Sequence, residues 1–259
     1  FDLDGTLVIT DHIYTKVWSN IMSKYNLSID DNFFNYFIRG KNDISFLKYI
    51  FPNISHDEIM DISKKKDSLF IKYLNETSDN IFVNGAKSFI QNNKNRKIGI
   101  VTSCNRVSAE YIIKKCGLDD YINFLITADD CKNHKPHKEP YLKAIKLLET
   151  TVNKCTIFED SNSGYKSAKS LGDINITLIL HENSSCDILN ADEYKIRDYN
   201  DFKYEHFKKS KREPDIKDVL INKLDNLPIV DIKINNIDMK TGYICDIKSL
   251  RLVLNDDYE

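Results

Sequence analysis

Phe1-Asp2-Leu3-Asp4-Gly5-Thr6-Leu7 opens the chain, and how this stretch is read decides the fold. Phe1 and Leu3 alternate with two carboxylates, as the end of a buried strand would, and Gly5 marks a tight turn just beyond them. In extended backbone a spacing of two turns Asp2 and Asp4 to the same side. Acid pairs of this kind are ordinary on protein surfaces. Beside buried Phe1 and Leu3, however, the pair stands at a sheet edge with no structural task. A buried strand of about five residues should have most of them ahead of Asp2, so the sequence reads as truncated at its amino end.

Outward from this stretch, apolar residues recur at helical spacing from Asp11 to Asn75: Ile13, Val17, Trp18, Ile21 and Met22, then Ile59, Ile62, Leu69, Ile71 and Leu74. This is a helical insert, broken at Asn26, Gly40 and Pro52. From Asn84 onward strands alternate with helices. Strands are predicted at 97–101, 124–127, 156–158, 174–180 and 194–196, with helices at 106–116, 140–148 and 164–171. That alternation implies an α/β class: a Rossmann-like core with a parallel sheet over 1–9 and 80–207, carrying a helical cap over 10–79. The basic stretch 208–215 has linker character. Alternating apolar residues around Thr241-Gly242 predict a hairpin in an incomplete second domain over 216–259.

Composition narrows the partners. Against 39 acidic residues stand 37 basic ones, a formal charge of -2, which gives no broad field for nucleic acid or an anionic membrane. No apolar run reaches the roughly 18 residues of a membrane span. A small ligand is the expected partner, with neither nucleic acid nor membrane. The six cysteines are scattered, without a C-x-x-C pair, which fits a cytoplasmic protein and argues against zinc.

A second acid pair, Glu159-Asp160, follows the apolar run Thr156-Ile157-Phe158 and precedes Ser161 and Gly164 at a helix start. Ligands of open parallel sheets bind beyond the carboxyl ends of the strands, where both acid pairs can meet. Clustered carboxylates repel one another unless a cation lies between them, and oxygen-only donors favour Mg²⁺. Thr102 and Ser103 place hydroxyls and helix amides at the same edge, suited to an anion, an ordinary helix cap being the alternative. Lys135, just after the next strand, offers an ammonium to a phosphate.

Taken in strand order, F-D-L-D-G-T-L, I-G-I-V-T-S, H-K-P-H-K-E-P-Y and T-I-F-E-D-S-N-S-G resemble the four motifs of the haloacid dehalogenase superfamily. The resemblance covers residues 1 to 200. It points to the branch with a helical cap after the first motif, which includes sugar-phosphate phosphatases, phosphoglycolate phosphatases and β-phosphoglucomutases. It implies that Asp2 is the nucleophile and Asp4 the general acid and base. It further implies that Thr102, with Ser103 beside it, and Lys135 bind the phosphoryl group. Asp2, the Asp4 carbonyl, Glu159 through water and Asp160 would hold Mg²⁺. The expected function is Mg²⁺-dependent hydrolysis of a small phosphorylated metabolite, of the sugar-phosphate or phosphoglycolate type. A phosphosugar mutase and a non-catalytic binding domain are the alternatives.

The chain departs from the branch at two places. Ile9-Thr10 stands where relatives carry an acidic residue and a Ser or Thr, and Asp43 stands where the mutases carry a cap arginine, with Arg39 and Lys41 nearby. The hairpin around Gly242 faintly resembles the first strands of an aminoglycoside-phosphotransferase or choline-kinase lobe, which implies a fused kinase-like domain.

Overall fold

A computed structural model describes residues 1–205 apart from 78, 79 and 183. The expected linker over 208–215, the hairpin and the kinase-like domain over 216–259 lie outside them. The chain divides into units spanning Phe1–Phe207 and Lys208–Glu259.

Short parallel strands make up the sheet. Strand β1 (Gly99–Val101) pairs with β2 (Phe124–Ile126), while β3 (Thr156–Glu159), β4 (Asn175–Ile179) and β5 (Tyr194–Ile196) pair in sequence. The opening stretch joins these two groups. Phe1 N donates to Gly99 O at 2.8 Å, Val101 N donates to Phe1 O at 2.8 Å, and Asp2 N donates to Phe158 O at 3.0 Å. Phe1 and Asp2 thus lie between β1 and β3, at the centre of the sheet. They form no regular strand of their own, because the chain turns at once. Gly5 takes φ +79°, its N–H donates to Val8 O, and Leu7 N–H donates back to Leu3 O. Only glycine adopts that left-handed conformation without strain.

Helices α5 (Ala86–Asn92), α6 (Arg106–Cys116), α7 (Glu139–Leu147), α8 (Asn162–Lys169) and α9 (Cys186–Asn190) cross between or flank the strands. The predicted end of α6 holds: Gly117 closes it in the left-handed region at φ +62°. Ile100, Val101, Ile157, Phe158, Ile176, Leu178 and Ile179 are buried, as strands covered on both faces require. The first predicted strand is shorter than expected, since Ile98 N–H donates to the Asn123 side chain rather than to a neighbouring strand.

The chain leaves the core along residues 7–9 and returns along 81–83, where Ile9 N donates to Ile81 O and Val83 N to Leu7 O. Between them lie α1 (Asp11–Met22), α2 (Asp31–Phe33), a π-helical turn over Phe34–Ile38, α3 (Asp43–Ile50) and α4 (His56–Glu76). Helix α1 buries Ile13, Val17, Trp18, Ile21 and Met22, the stripe its periodicity announced. Asn26 and Gly40 sit at positive φ, at two of the expected breaks. Ser55 and Glu58 close a reciprocal capping box on α4. The π turn was not legible in the sequence. Among the described residues no helix is long and apolar enough to cross a membrane.

Phe158 holds the sheet centre: its ring stacks on Phe1 at 4.4 Å and meets Phe89 at 5.4 Å and Tyr199 at 5.8 Å. Phe158→Ala should therefore destabilise the fold by about 3–5 kcal/mol. Chemical denaturation checks this, and a loss below about 1 kcal/mol would contradict a close-packed aromatic centre.

Candidate active site

Four segments far apart in sequence deliver their polar residues to the carboxyl edge of the sheet. Asp2 comes from the central stretch, Thr102 and Ser103 follow β1, Lys135 lies in the loop after β2, and Glu159 and Asp160 end β3. The Lys135 ammonium joins three of them. It donates to Asp2 Oδ1 at 2.6 Å, to Glu159 Oε1 at 2.5 Å and to the Val101 carbonyl at 2.9 Å, with all four residues buried. Burial alone would lower the lysine pKa; Asp2 and Glu159 outweigh it and hold the ammonium charged.

Both oxygens of Glu159 are engaged. Oε1 accepts from Lys135 and from Tyr141 Oη at 2.6 Å, and Oε2 accepts from the Asp160 and Ser161 N–H groups and the Ser161 hydroxyl at 3.1–3.2 Å. Gly164 lets α8 pass close by, since a Cβ there would stand 1.8 Å from Glu159 Oε1. Asp2 differs. One oxygen faces Lys135, and the other accepts no hydrogen bond among the described residues.

Asp160 Oδ1 accepts from the buried Thr6 hydroxyl at 3.2 Å, and Oδ2 faces the cap residue Arg39 at 3.1 Å. Arg39 also reaches Asp11 at 3.4 Å. Gly5 makes room here too: a Cβ would lie 2.2 Å from Asp160 Oδ2. Asp4 Oδ1 accepts from Thr10 at 2.5 Å, and Oδ2 takes a long 3.5 Å contact from the Thr102 hydroxyl. Thr10 is the N-cap of α1, yet it makes no capping bond and spends its hydroxyl on Asp4 instead.

Ser103 lines the cleft above these groups, together with the cap residues Tyr14, Arg39, Asp43 and Lys66. Its volume is about 70 Å³, below the roughly 300–1,000 Å³ of ligand pockets. The cap is closed. Asn105, the N-cap of α6, follows the example of Thr10: it donates across the gap to Asp43 and Asp67 of the cap, at 3.2 Å each.

Sequence reasoning named Asp2, Asp4, Thr102, Ser103, Lys135, Glu159 and Asp160, and all seven lie at this edge. It missed Thr6, Tyr141 and the roles of Thr10 and Arg39. Each carried some signal: Thr6 and Tyr141 stand inside the quoted first and third motifs, Thr10 follows the first, and Arg39 lies beside the position of the mutases' cap arginine.

Haloacid dehalogenase-like hydrolase is the family whose model matches residues 1–179. The chain belongs to that family. A phosphorylated carbohydrates phosphatase of Thermotoga maritima is 27% identical over 186 residues, covering 70% of this chain and 84% of the relative. A pyrophosphatase of Bacillus cereus is 27% identical over 180 residues, covering 66% and 78%. Among solved structures, β-phosphoglucomutase from Clostridium difficile superposes with a TM-score of 0.70 at 23% identity, over 80% of this chain and 93% of that one. The hydrolase fold is thereby fixed, and the substrate is left open.

Asp2, Glu159 and Asp160 each offer one oxygen within 4.8 Å of the others. Burial raises the Asp2 carboxyl well above its usual range, with Glu159 and Asp160 adding to the rise against Lys135. Burial likewise brings Asp160 up to about 7, Arg39 opposing and Glu159 adding. Hard oxygen donors whose negative charge the protein leaves undercompensated suit Mg²⁺. A raised carboxyl stabilises the fold below its unfolded pKa, and that contribution is lost as pH rises through about 7. Mg²⁺ binds the ionised form. Its addition should therefore raise the melting temperature, and by more at pH 8 than at pH 6. Equal shifts in scanning fluorimetry at the two pH values would contradict a carboxylate metal centre.

Proposed function

We propose that this hydrolase is a Mg²⁺-dependent phosphatase of small phosphorylated metabolites, acting through an aspartyl-phosphate on Asp2. The observation that carries the reading is the buried Asp2–Lys135–Glu159 chain, which fixes one oxygen of Asp2 and leaves the other open for attack. Asp2 displaces the alcohol from phosphorus, so that a P–O bond to the carboxylate forms as the P–O bond to the leaving group breaks. Asp4 gives its proton to the departing oxygen. It then takes a proton from the water that attacks the same phosphorus and frees phosphate. Burial raises the Asp4 carboxyl, which suits an acid that must hold its proton until the alcohol leaves.

Lys135 and Thr102 bind the phosphoryl oxygens, with Ser103 at the mouth. Asp2, the Asp4 carbonyl and Asp160 would hold the metal, with Glu159 beside them, and Glu159, its oxygens already engaged, orients Lys135. When bound, Mg²⁺ offsets the charge of the phosphoryl group beside that of Asp2. The small metabolite is the proposed partner, without nucleic acid or membrane. The cytoplasm is the proposed compartment, supported by free cysteines at 104, 116, 131 and 155. A mutase reading stands second. The β-phosphoglucomutase superposition favours it, and Asp43, an anion on the cap side of the cleft, weighs against it.

Asp2→Asn should lower Mg²⁺-dependent release of phosphate by at least roughly 10³-fold while the circular dichroism spectrum stays that of the parent. Activity within a few fold would remove Asp2 from the nucleophile's role. Asp160→Ala should raise the Mg²⁺ concentration for half-maximal rate by about tenfold or more, with partial recovery at high metal. An unchanged metal titration would mean that Asp160 is not a ligand.

A further inference from the structure

The cap side of the cleft holds cations and anions in a ratio that bears on the leaving group. Lys66 of α4 is buried, its ammonium 3.0 Å from Asp43 and 2.9 Å from Asp67. One positive charge thus faces two negative ones, and Asn105 and Ser108 add donors to the same two carboxylates. Burial would lower the Lys66 pKa, but the two aspartates outweigh it, so the lysine stays charged and committed to them. Arg39 is held by Asp160 and Asp11, and a metal at Asp160 would still leave it paired with Asp11. Lys41 donates to Tyr36 O and lies over the Tyr36 and Phe37 rings. Among the described cations of the cap side, Lys66 and Arg39 are thus held by carboxylates, while Lys41, exposed, has only a backbone carbonyl and two rings as partners and stands apart from the Asp43–Lys66–Asp67 cluster.

Tyr14 points to what the cleft does accept. It lines the cleft, stacks on Phe70 at 4.4 Å, and its hydroxyl oxygen is buried without a hydrogen-bond partner. Burial, with Asp4, Cys104 and Asp43 nearby, raises its pKa and keeps it a donor. A buried hydroxyl with no partner is costly unless a ligand supplies one. We propose that Tyr14 and Asp43 form a leaving-group subsite that selects an uncharged, hydroxyl-bearing alcohol, such as a sugar or polyol, over carboxylated, bisphosphorylated or pyrophosphate substrates. Tyr14 donates to one substrate hydroxyl, and Asp43, still partnered by Lys66, accepts from another. A carboxylate or second phosphate placed there meets the net negative charge of Asp43, Lys66 and Asp67. This subsite rests on the phosphatase reading and narrows its substrate class.

The test uses the Mg²⁺-loaded protein on two sets of esters, with p-nitrophenyl phosphate reporting the phosphatase reading alone. Glycerol phosphate and hexose monophosphates form the first set. Phosphoglycolate, fructose 1,6-bisphosphate and pyrophosphate form the second. The expected kcat/KM favours the first set by about tenfold or more, the scale of one hydrogen bond gained and one like-charge contact avoided. Tyr14→Phe and Asp43→Asn should each cut the first-to-second ratio severalfold. A ratio is independent of the folded fraction, so partial misfolding of a variant does not mimic the result. Hydrolysis of p-nitrophenyl phosphate with a wild-type preference for the anionic set overturns the subsite and leaves the phosphatase reading standing. So does a ratio that neither substitution moves. Failure to hydrolyse p-nitrophenyl phosphate or any ester of either set overturns both.

Discussion

The Lys135 ammonium lies between Asp2 and Glu159, within 2.6 Å of each, and all three side chains are buried. An isolated charge at this depth would be expensive; paired and hydrogen-bonded, it becomes a fixed point that the surrounding chain must respect. Removing one partner would strand the others. The loop after β2, the end of β3 and the opening stretch of the chain therefore have to arrive together. The backbone shows the same convergence, with Val101 O bonded to the ammonium and Val101 N bonded to Phe1 O.

Around that fixed point the local rules of helix formation give way. Thr10 and Asn105 occupy N-cap positions, where their side chains would ordinarily satisfy the first helical amides. Each bonds across to something else: Thr10 to the carboxylate of Asp4, Asn105 to Asp43 and Asp67 of the cap. Helix α4, which carries no such duty at its start, keeps a full capping box. These two helix starts forgo about 1 kcal/mol of capping each and orient carboxylates instead, whereas Asn42 of α3 and Ser161 of α8, which also line the cleft, keep their capping bonds.

The same contrast explains what could be read from the sequence. A closing glycine identified α6 to the residue and periodicity the buried stripe of α1, because burial of one stripe and a left-handed closing residue are local properties. The carboxyl-edge residues were legible because four strand ends each carried a polar group with no other employment. Arg39, Thr6, Tyr141 and Lys66 were not. The partner that fixes each role lies more than 10 positions away, Asp160 for Arg39 and Thr6, Glu159 for Tyr141 and Asp43 for Lys66, so even a place inside a quoted motif, as Thr6 and Tyr141 have, does not disclose the role. The π turn over Phe34–Ile38 escaped for a related reason: it ends at Arg39, and the pairing of Arg39 with Asp160 is a tertiary contact.

Charge at the two ends of the cleft completes the argument. At the sheet edge four carboxylates, Asp2, Asp4, Glu159 and Asp160, stand against two cations, Lys135 and Arg39, and burial above all raises the carboxyls of Asp2, Asp4 and Asp160. A structure selected for stability alone would replace such a cluster with apolar packing of equal volume. At the cap end Lys66 is outnumbered by Asp43 and Asp67, so negative charge is in excess around that lysine as well. The proposed divalent cation would relieve that excess at the sheet edge, where the carboxylates of Asp2, Glu159 and Asp160 converge within 4.8 Å. Under the proposed function the two ends would take different chemistry: a metal-offset phosphate at one, and neutral hydrogen-bonding groups beside Tyr14 and Asp43 at the other.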